Sequence, residues 1–115
     1  MSDIQAKICH LSLSAQKVRM VIDLVRGKSA NEALDILRFV NKRAALPVSK
    51  LVSSAVANAE ENFDVSRDDL YVAKITADEA PTRKWRRFGA RGRSKPILRR
   101  SSHVTVILRE RERVA

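Results

Sequence analysis

Val18, Val21, Ile22 and Val25 recur at the i, i+3, i+4, i+7 spacing that gathers apolar side chains on one face of a helix. Ser14 stands ahead of them as an N-cap, and Gly27 follows as a C′ stop. Arg19 and Asp23 share another face at i, i+4, where they are placed to pair. A second helix opens at Ser29, with Glu32 at the capping-box spacing and a stripe of Ala33, Leu34, Leu37 and Val40. Asn41 is predicted to break it and to cap a third helix. That helix runs to about Asn62 on Val48, Leu51, Val52, Ala55, Val56 and Ala59. Pro47 predicts either that the regular helix starts near Leu46 or that it bends there, because proline lacks an N–H and crowds the preceding turn.

Elsewhere the period is two. Ala6–Leu13 alternates, with Ile8 on one face and Cys9, Leu11 and Leu13 on the other. Phe63–Asp69 is polar and turn-like. Leu70–Ala77 then alternates, with Leu70 and Val72 on one face and Tyr71, Ala73 and Ile75 on the other, and His103–Leu108 alternates again. Between these last two strands lie Gly89 and Gly92, so the simplest connection is a long antiparallel hairpin turning near 89–92. The expected fold is α+β: a compact body of three helices packed on a small antiparallel sheet, with a long protruding basic β-hairpin. Residues 1–115 form a single domain, with the body at 1–79 and 103–115 and the arm at 80–102. At ~3.3 Å per residue the tip would stand about 35 Å from the body. A two-stranded ribbon of that length is marginal alone in water.

Charge sharpens the picture. Arg83–Arg100, RKWRRFGARGRSKPILRR, contains nine Lys or Arg and no acid, with Trp85 and Phe88 among the charges. Of the 23 basic residues, ten lie between Ala80 and Arg109, a stretch without a carboxylate; the other 13 are matched by the 13 Asp and Glu. The excess of +10 therefore belongs to one segment, which calls for a polyanionic partner. Arginine suits phosphate through its planar fork. Trp85 and Phe88 are candidates for stacking on unpaired bases, or for packing across the hairpin itself. Lys17, Arg19, Arg26 and Lys28 on the first helix fit either RNA contact or an ordinary solvated face. His103, after Ser101 and Ser102, fits either a phosphate or sugar contact or a strand-edge hydrogen bond.

Other chemistry finds little support. Ser14-Ala15-Gln16-Lys17 matches the S-x-x-K pattern of penicillin-binding enzymes, but its companion motifs are missing and a helix-start serine accounts for Ser14. Cys9, His10 and His103 have no familiar metal-ligand spacing. Cys9, the single cysteine, excludes an internal disulfide, suits a reducing cytosol and is expected to be a buried small hydrophobe. No apolar run is long enough to span a membrane, and the N-terminal stretch lacks the apolar core of a secretory signal. Two non-enzymatic classes remain: a structural RNA-binding protein, and an architectural DNA-binding protein with a β-ribbon arm.

The sequence resembles the large-subunit ribosomal protein 22 family, bacterial type, over nearly everything from Ser14 to Leu108. The resemblance is carried by SAQKVRMVIDLVRGKSANEALDIL, NKRAALPVSKLVSSAVANAEEN, DDLYVAKITADEAP, ARGR and SSHVTVIL. It implies a non-enzymatic, cytoplasmic constituent of the ribosome that needs no cofactor or metal. Its implied partners are large-subunit rRNA, neighbouring ribosomal proteins and, at the hairpin tip, the nascent peptide. It implies no membrane contact, a monomer within the ribosome, and a part in subunit assembly. With the charge map, the residues expected to contact rRNA are Lys17, Arg19, Arg26, Lys28, Arg83, Lys84, Arg86, Arg87, Arg91, Arg93, Lys95, Arg99, Arg100, Ser101, Ser102 and His103. The tip facing the peptide exit tunnel comprises Arg87, Phe88, Gly89, Ala90, Arg91, Gly92 and Arg93. The sequence departs from the family's more usual pattern at Trp85 and at Phe88-Gly89.

Overall fold

The structure, a computed structural model, describes residues 3–81, 83–88 and 94–111. Its elements are β1 (Ile4–Leu11), α1 (Ala15–Ile22), α2 (Ala30–Phe39), α3 (Ala45–Asn62), a 3-10 turn at Arg67–Asp69, β2 (Leu70–Glu79), β3 (Arg83–Phe88), β4 (Ser94–Arg99) and β5 (Ser102–Glu110). β5 lies at the centre of a three-stranded antiparallel sheet in the order β1-β5-β2, and β3 pairs with β4 as a separate two-stranded ribbon. The three helices and the three-stranded sheet form the expected α+β body.

The periodicities explain the core. Val18, Val21, Ile22 and Val25 are all buried, as are Ala33 and Leu37 from α2 and the whole α3 stripe from Val48 to Ala59. Val104, Val106 and Leu108 of β5 point into the same cluster. Small side chains at Ala30, Ala33, Ala55 and Ala59 let α2 and α3 sit close to their neighbours without leaving voids.

Two bulges break the alternation that the sequence suggested. In β2 the register shifts between Val72 and Lys74, so Ile75 and Ala77 join Leu70 and Val72 on the buried face. The extra residue resets the parity of everything after it, which moves Ile75 from its expected face. In β1 the register shifts between Ile8 and Leu11, where His10 has φ 57°. Ile8 and Leu11 therefore both pack against the core despite their odd spacing, and Cys9 is exposed rather than buried.

Helix ends depart from expectation in instructive ways. The Ser14 and Ser29 hydroxyls accept from the N–H of Lys17 and Glu32, at 3.4 and 3.2 Å, as N-caps should. α1 stops at Ile22, and the chain tightens through Leu24 N–H to Val21 O and Val25 N–H to Ile22 O, which keeps Val25 in the core. α3 starts at Ala45 after Ala44, without a side-chain cap, so Asn41 does not cap it. Pro47 then sits in the first turn, where its missing N–H would have had no intrahelical partner.

Candidate nucleic-acid interface

The ribbon begins where the body's ladder stops. Glu79 pairs with Ser102, and the Ala80 N–H donates to Ser101 O at 3.0 Å. Pro81 follows and has no N–H to continue the ladder. Beyond it β3 and β4 run antiparallel, with Arg83 opposite Arg99, Trp85 opposite Ile97, Arg86 opposite Pro96 and Arg87 opposite Lys95. Two of these pairs set like charges directly across the strands, an arrangement that destabilises an isolated ribbon. The molecule is accordingly long, with extents of 72 × 26 × 18 Å. Its radius of gyration is 17.6 Å, against about 13 Å for a compact chain of this length.

The sequence-predicted contact residues fall into groups. Arg83, Lys84, Arg86 and Arg87 are on β3, together with Trp85 and Phe88; Lys95 and Arg99 are on β4. Gly89, Ala90, Arg91, Gly92 and Arg93, the core of the expected tip, lie outside the described residues. Arg100 is exposed at the root of the ribbon, where it lines a cavity of about 220 Å³ with Ser14, Gln16 and Glu79. Ser101 is half-buried and offers its carbonyl to Ala80. Ser102 differs from expectation: it is fully buried, and its hydroxyl has no partner among the described residues. The alternation of β5 explains this, since Ser102 shares the inward face with Val104 and Val106. His103 points the other way. Its Nδ1 accepts from the His10 backbone N–H at 3.0 Å, and the two rings meet edge to face at 4.7 Å. That bond leaves Nε2 as the ring atom open to another partner.

On the body, Lys17 and Lys28 are exposed. Arg19 and Arg26 have a role that periodicity did not reveal. Arg19 Nε donates to Ala77 O at 3.1 Å, and Arg26 Nη2 donates to Ile75 O at 3.0 Å. Both carbonyls belong to β2, an edge strand, whose outer side is also bonded by Gly27 N–H to Val72 O and by Val72 N–H to Lys28 O. The two guanidiniums thus cover the part of the edge that the loop after α1 does not reach. Asp23, expected beside Arg19, pairs instead with Arg26 at 2.6 Å. The only signal in the sequence was the seven-residue spacing of the two arginines; their acceptors depend on the register of a strand almost 50 residues away.

Residues 6–109 match the family described as Ribosomal protein L22p/L17e. The chain belongs to that family. An L22p/L17e protein is a structural component of the large ribosomal subunit, not an enzyme, and its partners are rRNA and other ribosomal proteins.

Proposed function

We propose that the ribbon threads into large-subunit rRNA, that its tip at 87–93 lines the peptide exit tunnel, and that insertion of the arm assists subunit assembly. The observation that carries this reading is a two-stranded ribbon whose register opposes Arg83 to Arg99 and Arg87 to Lys95, in a segment with no carboxylate. Phosphates on both sides would neutralise that repulsion and release counterions from the RNA. Arg83, Lys84, Arg86, Arg87, Arg91, Arg93, Lys95, Arg99 and Arg100 supply the phosphate contacts, and Trp85 and Phe88 supply stacking surfaces. Lys17, Lys28 and the free edge of His103 extend the contact onto the body. The protein acts as a monomer within the cytoplasmic ribosome, and the nascent peptide passes the tip.

The tip assignment is tested by Arg91→Ala in assembled subunits. A single arginine near a turn carries little stability, so assembly yield should be unchanged while nascent-chain stalling changes. Failure of the Arg91→Ala subunit to assemble would make the residue an RNA anchor and remove it from the tunnel.

A further inference from the structure

Away from the ribbon, α2 and α3 enclose an open groove of about 530 Å³. Leu34, Leu37, Val40 and Leu46 line its apolar part, and Arg38 and Lys42 stand among the lining residues. Arg67 also reaches it, but its charge is met by Glu60 at 2.8 Å. No carboxylate lines the groove among the described residues, and none of them forms an ion pair with Arg38 or Lys42. Leu46 is 64% exposed, and Phe39, next in the chain to Arg38 and Val40, is 84% exposed. Of these two, Leu46 lines the groove, so it leaves apolar surface in water there together with the part-exposed Leu34 and Val40.

We propose that this groove receives an acidic, apolar segment of a neighbouring ribosomal protein. The proposal rests on the family's place in a particle of RNA and many proteins. Charge and polarity together select the occupant. Two unmatched cations attract either carboxylates or phosphates, but a phosphodiester backbone gains nothing from a floor of Leu34, Leu37 and Val40. A peptide that brings a large apolar side chain to the floor and Asp or Glu to the rim satisfies both halves of the site. The groove differs from the ribbon: Leu and Val side chains are mixed with Ser49, Ser53 and a few cations, rather than being densely basic.

The test is site-specific photo-crosslinking in assembled large subunits carrying Leu46→benzoylphenylalanine. Position 46 is exposed enough to accept the larger ring. The expected product joins position 46 to a protein peptide richer in Asp and Glu than in Lys and Arg, with at least one large apolar residue. Charge reversal by Arg38→Glu with Lys42→Glu should lower the yield at least about tenfold, because like charges then meet across the contact. A crosslink to rRNA, a crosslink to a basic peptide, no crosslink, or a yield unmoved by charge reversal would each overturn the proposal. Trp85→benzoylphenylalanine, run in parallel, reports on the ribbon. If it fails to reach rRNA while position 46 captures the acidic peptide, the ribbon assignment fails and the groove stands.

Discussion

Removing the two guanidiniums that cover the β2 edge should destabilise the body without touching RNA affinity. Arg19→Met and Arg26→Met keep most of the apolar stem and delete the donors to Ala77 O and Ile75 O. A hydrogen bond from a charged donor is worth roughly 1.5–3 kcal/mol when well shielded, but both arginines are solvent-exposed, so about 1 kcal/mol each is the reasonable scale. The ion pair between Arg26 and Asp23 adds little, because both side chains are about half in water. The double variant should therefore lose about 2 kcal/mol, which for a chain of this size lowers Tm by about 8 °C. Thermal unfolding of the full chain, followed by far-ultraviolet circular dichroism, reads the shift. The salt dependence of rRNA binding should stay as in the parent. A Tm within about 2 °C of the parent, together with a shallower salt slope, would refute the reasoning and make the two arginines phosphate contacts.

Two further perturbations probe the same body. Gly27 has φ +80°, and a Cβ built there meets nothing within 4 Å, so Gly27→Ala should cost only the backbone strain, about 1 kcal/mol, measured by denaturant unfolding; an unchanged midpoint would show that the turn relaxes freely. Arg109 donates two hydrogen bonds to the Asp3 carboxylate, at 2.6 and 3.2 Å, and this holds the Asp3 pKa below its ordinary 3.8. The folded carboxylate thus keeps its charge to lower pH than the unfolded one: its contribution is complete above 3.8 and is lost as pH falls through the folded value. Asp3→Asn should reduce the fall in Tm below that pH, and an acid limb identical to the parent's would contradict the assignment.

Helical structure was largely legible because the signals were local. The stripes of α1, α2 and α3 and the caps at Ser14 and Ser29 depend on residues a few positions apart, and they form where the periodicity puts them except that α1 ends before Val25 and α2 before Val40. Strand faces were less legible. A single extra residue at the β2 bulge reverses the parity of Ile75 and Ala77, and no local composition marks that site. The same holds for the β1 bulge, which returns Leu11 to the core side occupied by Ala6 and Ile8 and leaves Cys9 facing solvent. For the nucleic-acid interface, the density of charge located the ribbon directly, since an acid-free basic segment has few uses in a small domain. The part played by Arg19 and Arg26 was hidden, because it arises only when β2 is docked along α1. Ser102 was misjudged for a related reason: its neighbours in sequence are polar, but the inward face of β5 decides where it points. Phe39 and Leu46 escaped notice because they lie off the helical stripes, and residues off the stripe are ordinarily solvated.

The most direct measurement concerns the ribbon as the source of affinity. The Ala80 N–H and Ser101 O are 3.0 Å apart, so residues 83–99 can be replaced by a short glycine turn that closes the same ladder. The body should retain its fold, since its core cluster among the described residues is drawn from positions 4–77 and 104–108. Binding of parent and shortened chain to large-subunit rRNA is then followed across a range of salt concentrations. The replacement removes eight Lys and Arg, and each phosphate contact contributes about 0.7 to 0.9 to the log–log slope, so if each makes one contact the slope should fall by about 6 to 7. A folded, shortened protein that binds rRNA with the parent's slope would contradict the account, because the phosphate contacts would then lie on the body.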